Sequence, residues 1–203
     1  VSEGIYQLRG FDLSNMSIIV GDTGWIVVDP LTTRETAAAA IAFARQHLGD
    51  KPISAVIFTH SHIDHFGGVL GVLGADSSAQ VIAPEGFMEE ATSENVIAGN
   101  TMSRRSMFMY GSQLEKSATG HVGSGLGKSP AFGSPGILPP TRIIDRTGER
   151  MTIDGVEFVF QNAPGSEAPA ELTFYLPRQK AFCGAEVVSR NMHNLYTLRG
   201  AKV

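Results

Sequence analysis

A chain of 203 residues with 42% apolar side chains fits one ordinary domain and can bury a substantial core. Its formal net charge of −4 supplies no basic field for counterion-driven nucleic-acid binding, and nowhere do apolar residues run on for the roughly 18 positions that a membrane-spanning helix needs. The lone Cys183 excludes both an internal disulfide and a zinc site built on thiolates.

In chain order, Ile5–Leu8, Met16–Val20 and Trp25–Val28 are β-rich runs separated by Gly, Asp and Asn, the pattern of a strand meander, and Asp29-Pro30 closes the third. A helix is expected from Thr32, whose hydroxyl caps it while Glu35 reciprocates, through the alanine-rich run to His47, with Gly49 ending it. Residues 54–58 read as a buried strand and 80–83 as another. A short helix is expected over 84–92, with Pro84 at its start, and a longer one over 96–114. That longer helix carries Met102, Met107, Phe108, Met109 and Tyr110, a set that suits either a core face or a pocket for an alkyl tail. A glycine-rich polar segment, 120–136, follows and includes His121. Strands are then expected at 142–145, 151–153, 156–161, Leu172–Leu176 and Ala181–Cys183, with a hairpin turn at Asp154-Gly155. Two batches of strands, each with helices, predict an α/β (α+β) protein in which two sheets pack face to face under flanking helices.

The chemistry concentrates after the strand at 54–58. Thr59-His60-Ser61-His62-Ile63-Asp64-His65-Phe66-Gly67-Gly68 holds half of the chain's six histidines. Imidazole and carboxylate suit zinc and similar divalent ions. The alternation lets His60 and His62 face one ion while Asp64 and His65 turn to a second, and Gly67-Gly68 would allow a sharp turn into the next helix. A dinuclear centre needs further ligands, and two segments after later strands offer them. One is Pro164-Gly165-Ser166-Glu167, whose rigid loop can hold Glu167, with Glu171 as its nearby competitor; the other is Cys183-Gly184-Ala185-Glu186, where Glu186 can bridge both ions. Lys128 invites a phosphate-loop reading of 123–129, but the glycine spacing is wrong and no strand leads in.

These residues resemble a known family. His60-Ser-His62-Ile-Asp64-His65 is similar to the H-x-H-x-D-H signature of the metallo-β-lactamase superfamily. Glu167 stands where most members have Pro-Gly-His, and Ala185-Glu186 where they have Gly-Asp. Both departures resemble the zinc-dependent alkylsulfatases, as do Ser103-Arg104-Arg105, the Gly123–Gly127 segment, Glu167-Ala-Pro-Ala-Glu171 and the run from Asn191 to Ala201. The resemblance implies an αββα sandwich, incomplete at the C-terminal end, with residues 1–203 forming part of a catalytic domain. It implies two Zn2+, with His60, His62 and Glu167 on one ion, Asp64 and His65 on the other, and Glu186 between them. A further histidine ligand would come from the remainder of the polypeptide. The substrate implied is a small-molecule alkyl sulfate ester, cleaved to alcohol and inorganic sulfate by a metal-activated water.

Sulfate recognition calls for cationic or neutral donors. Arg190, His193 and Arg199 are the candidates after Glu186, His193 also as a proton donor, with Asn194, Asn100 and Tyr110 as further polar contacts. The sequence leaves S–O and C–O cleavage both open. Other readings of the same residues are a hydrolase of another ester, lactam or phosphodiester, and a non-catalytic metal-binding or dimerisation module. A homodimer follows from the resemblance alone. The absence of an initiator methionine and the stop at Arg199-Gly200-Ala201-Lys202-Val203 lead us to expect a piece of a longer chain. Any export signal would lie upstream: the resemblance implies a periplasmic or secreted bacterial protein, and the residues leave a cytoplasmic one open.

Overall fold

The computed structural model describes residues 1–74, 77–124 and 129–189. The three opening runs form β1 (Ile5–Leu8), β2 (Met16–Val20) and β3 (Trp25–Val28), paired antiparallel in sequence order. From β3 the chain crosses through helix α1 (Arg34–Leu48) to β4 (Ile53–Ile57), and β5 (Gln80–Pro84) and β6 (Arg142–Ile144) extend the sheet in parallel. All four β3 residues and Val56 and Ile57 of β4 are buried, as expected of strands covered on both faces. The second sheet is antiparallel, ordered β10-β9-β8-β7, from β7 (Arg150–Ile153), β8 (Val156–Asn162), β9 (Leu172–Leu176) and β10 (Ala181–Cys183).

Alternation along the strands sorts the apolar residues into two cores. Ile19, Ile26, Val28, Ala55 and Ile57 of the first sheet meet Phe158, Phe160, Leu172 and Phe174 of the second. The opposite side chains of the first sheet, Ile18, Trp25, Val27 and Val56, pack on Ala37, Ala40, Ile41 and Ala44 of α1, and on Val69 and Phe87. The layers described are therefore helix, sheet and sheet. Tyr175 and Phe182, on the far side of the second sheet, are exposed, and the second helical layer of the expected αββα sandwich is not among the described residues. No helix among them is long and apolar enough to cross a membrane.

Several local expectations shift. Thr33, not Thr32, caps α1, its hydroxyl accepting from the Thr36 N–H. Glu35 accepts from Ser134 N–H, tying α1 to the 129–141 segment. Gly67 and Gly68 precede α2 (Val69–Val72), but Gly68 has an ordinary backbone with φ −85°. What requires glycine there is close approach: a Cβ on Gly68 would sit 2.0 Å from the Pro30 carbonyl oxygen, and one on Gly67 would sit 2.2 Å from that of Thr32. The helix expected over 84–92 starts later, as α3 (Phe87–Thr92). The long helix expected over 96–114 is a single π-helical turn, Ser93–Ile97, followed by α4 (Gly99–Met109). No residue of α4 is buried, so Met102, Met107, Phe108 and Met109 do not form a core face.

Candidate metal centre

β4 runs directly into the histidine loop, and the seam between the two sheets closes around it. Leu172 N–H at the start of β9 donates to Thr59 O, and Glu171 pairs with His60 in an isolated antiparallel bridge. This places the loop after β8, the turn after β10 and the histidine loop at one end of the sandwich. His65 N–H closes a 3-10 turn onto His62 O, which brings Asp64 and His65 round to the same side.

Two groups of ligand atoms result, sharing one residue: His60, His62, Glu167 and Glu186, and Asp64, His65 and Glu186. Glu167 Oε2 lies 3.1 Å from His62 Nδ1 and 3.7 Å from His60 Nε2. Asp64 Oδ2 lies 3.3 Å from His65 Nε2. The Glu186 carboxylate spans both groups, with Oε2 3.9 Å from His60 Nε2 and Oε1 3.5 Å from His65 Nε2. Ala185, at φ 48°, supplies the left-handed turn that aims Glu186 inward. All six residues assigned to metal binding from the sequence are thus brought together.

Asp29 organises the imidazoles, a role that the sequence reading missed. Its Oδ1 accepts from Thr59 N–H at 2.8 Å, and its Oδ2 accepts from the Thr59 hydroxyl at 2.8 Å. The same Oδ2 lies 2.9 Å from His65 Nδ1. Since the Thr59 hydroxyl proton goes to Asp29, Thr59 Oγ1 can only accept from His60 Nδ1, 2.9 Å away. Both rings therefore carry their proton on Nδ1 and present Nε2 to the centre. The only sequence signal at this position was the Asp-Pro turn, and Asp29 does adopt a left-handed backbone, φ 55°.

Burial disfavours charge on both Asp64 and His65, but their mutual attraction prevails. The His65 imidazolium holds Asp64 below the ordinary carboxylate range, and Asp64, with Asp29 behind the ring, holds His65 well above the usual histidine value. Such an environment favours a positive charge at Nε2, either a proton or a metal ion competing for it. The residues fit a metal: His62 Nε2 is buried without a hydrogen-bond partner, and nitrogen and carboxylate donors in two overlapping sets suit zinc-like divalent ions. Cys183 takes no part; burial first, then the nearby Asp29 carboxylate, pushes its thiol up to about 12.

Beside the centre lies a cavity of about 510 Å³ whose wall includes Asp64, Leu13, Ile63, Asn100, Met102 and Tyr110. Asn100, Met102 and Tyr110, three of the substrate contacts expected from the sequence, thus share one cavity with a member of the ligand set. His121 joins neither ligand group; its N–H donates to Glu115 O. Arg190, His193, Asn194 and Arg199 lie outside the described residues, as does Lys128.

Residues 9–165 match the model of the metallo-β-lactamase superfamily, and the chain belongs to that superfamily. Within it, the whole chain is 48% identical to the alkyl/aryl-sulfatase BDS1 of Saccharomyces cerevisiae and 49% identical to a linear primary-alkylsulfatase of a Pseudomonas species. It spans about a third of the length of these relatives, 32% and 31% respectively. Among solved structures, the stereoselective inverting sec-alkylsulfatase Pisa1 from a Pseudomonas species superposes with a TM-score of 0.85 at 45% identity, over 90% of this chain and 30% of that one.

Proposed function

We propose that this chain is part of the catalytic domain of a dizinc hydrolase that cleaves alkyl sulfate esters to alcohol and inorganic sulfate. The observation that carries the reading is the Glu186 carboxylate, one oxygen facing His60 and the other facing His65, which joins two ligand groups into one centre. Supporting the substrate class are the alkylsulfatase relatives and the use of Glu167 where a histidine is usual in the superfamily. When bound, two zinc ions would activate a water and stabilise the charge that builds on the ester oxygens.

The protein's own residues divide the remaining work. Asp29 and Thr59 orient His65 and His60, Glu167 and Asp64 complete the separate groups, and Glu186 holds the two together. The cavity walled by Leu13, Ile63 and Met102 offers apolar contacts for an alkyl tail beside Asp64. Arg190 and His193 are the sulfate-holding pair in this reading, with Asn194 and Arg199 as further contacts; Arg190 brings a planar guanidinium, and His193 a donor for the leaving oxygen. The remainder of the polypeptide supplies the further ligand, and the functional unit is a homodimer.

The test uses the full-length protein with dodecyl sulfate as substrate. Sulfate release that stops on complete chelation, returns with zinc, and falls at least roughly a thousandfold in His62→Ala is the expected result. Turnover that persists without metal would overturn the reading, as would efficient lactam or phosphodiester cleavage with no sulfate release.

A further inference from the structure

Glu171 is completely buried, yet it joins neither ligand group. Its side chain turns back into the loop that carries Glu167. Oε2 accepts from Glu167 N–H at 2.8 Å and from Ala168 N–H at 2.9 Å, and lies 2.7 Å from the Ser166 hydroxyl, whose single proton is shared between it and Ala163 O at 2.6 Å. Its backbone is committed as well: its carbonyl accepts from Ala163 N–H at 2.8 Å, closing the loop's base, and it pairs with His60 across the seam between the sheets. One residue therefore fixes both ends of the 163–171 loop and attaches that loop to the first histidine of the metal set.

We propose that Glu171 is the positioning residue for Glu167, its carboxylate setting the height and direction of the Glu167 side chain against His60 and His62. This role rests on the reading of those residues as a metal-binding group. The Glu167 and Ala168 amides and the Ser166 hydroxyl converge on one carboxylate oxygen and tie the backbone at 166–168 to Glu171, whereas the loop's other internal bonds, Gly165 N–H to Ala168 O and to Pro169 O and Ser166 N–H and hydroxyl to Ala163 O, close the loop on itself. A ligand carboxylate held by its own backbone amide has little freedom left beyond its side-chain torsions, which is how residues behind a metal set tune it. This also decides between the two glutamates: Glu167 faces the histidines, and Glu171 holds it there.

The test is zinc binding by the full-length protein, measured as stoichiometry and by competition with a chelator of known affinity. Glu171→Ala should weaken one of the two zinc ions by roughly 10–100-fold and leave the other unchanged. Glu171→Gln keeps an acceptor oxygen for the two backbone amides and should weaken the same ion by roughly 3–10-fold. A purely structural role would lower the melting temperature of the metal-free protein and leave both affinities as they were, which overturns the proposal; so does an equal loss at both ions. If Glu171→Ala does not fold, Glu171→Gln decides the matter: selective weakening supports the assignment and unchanged affinities defeat it. The wild type controls the underlying reading: if it binds fewer than two ions, or if His62→Ala still holds both, the metal-centre reading itself falls, whatever Glu171 does.

Discussion

The two ends of the sandwich use the same device for different ends. At the site end, Asp29 follows β3 in a left-handed backbone and gathers Thr59 and His65. At the other end, Asp154 sits in the β7–β8 turn, also left-handed at φ 45°, and accepts from Thr23 N–H and hydroxyl, Gly24 N–H and Ser54 hydroxyl. Each aspartate stitches one segment to another distant in sequence. The difference lies in the partners: Asp154 collects hydroxyls and amides of the β2–β3 turn and of β4, so it joins the two sheets, whereas Asp29 collects an imidazole and a threonine that holds a second, so it fixes where lone pairs point. The same hydrogen-bond capacity becomes structural at one end and chemical at the other.

The largest effect should come from Asp29→Asn. An amide in place of the carboxylate turns a donor toward His65 Nδ1, which moves the ring's proton to Nε2, the atom that must be bare to bind metal. Zinc affinity of the full-length protein should fall by roughly 10–100-fold, read by chelator competition. An unchanged affinity would give Asp29 the same structural role as Asp154.

Gly68→Ala sharpens the same contrast from the packing side. The added methyl would overlap backbone oxygens of Pro30 and Thr33 and the Ala37 side chain, none of them a long side chain that can swing aside. The α1–α2 contact must open, at a cost of roughly 1–3 kcal/mol by denaturant unfolding, and the strain falls within a few residues of His65. An equally crowded glycine at the far end, Gly155, has the Asp22 carboxylate as its nearest neighbour, which can move. Its cost is the left-handed backbone at φ 78°, and no metal-affinity change should follow from Gly155→Ala.

Much of the site is legible in the sequence because its chemistry is dense. Three histidines and an aspartate in six residues after an apolar strand need no long-range information, and the resemblance at Pro164–Glu167 and Ala185-Glu186 supplies the rest of the ligand set. The strands are legible for a related reason: burial on one or both faces is written into their apolar pattern within a residue of each boundary. Asp29 was not legible as an organiser, because its partner His65 lies 36 residues away and the Asp-Pro step has a sufficient local explanation as a turn. Glu171 was visible only as a rival to Glu167, since two nearby glutamates look alike until their directions are known. For α4, the methionine-rich run suited either a core face or a pocket, because which of the two a face becomes depends on what lies across from it. Here that is the cavity beside Asp64. The glycines at 67–68 mark closeness to α1, which no local rule records.

Asp154→Asn should have the smallest effect, and its pH dependence distinguishes it from Asp29→Asn. Partial burial by itself would raise the Asp154 pKa, but the hydrogen bonds from Ser54, Thr23 and Gly24 outweigh it and hold the carboxyl below its ordinary value. A carboxylate with a depressed folded-state pKa contributes stability that is present above the unfolded value of about 3.9 and is lost as pH falls through the folded value. The wild type should therefore exceed the variant in the metal-free protein by about 1 kcal/mol at pH 7, a modest figure because the group is open to solvent. The gap should close as the pH is taken below 4, where the wild-type carboxyl also becomes neutral. Urea midpoints at the two pH values measure it, and zinc affinity at pH 7 should match the wild type. A gap that persists in acid would mean that Asp154 acts through shape rather than charge, and a change in zinc affinity would mean that the far end of the sandwich reaches the centre after all.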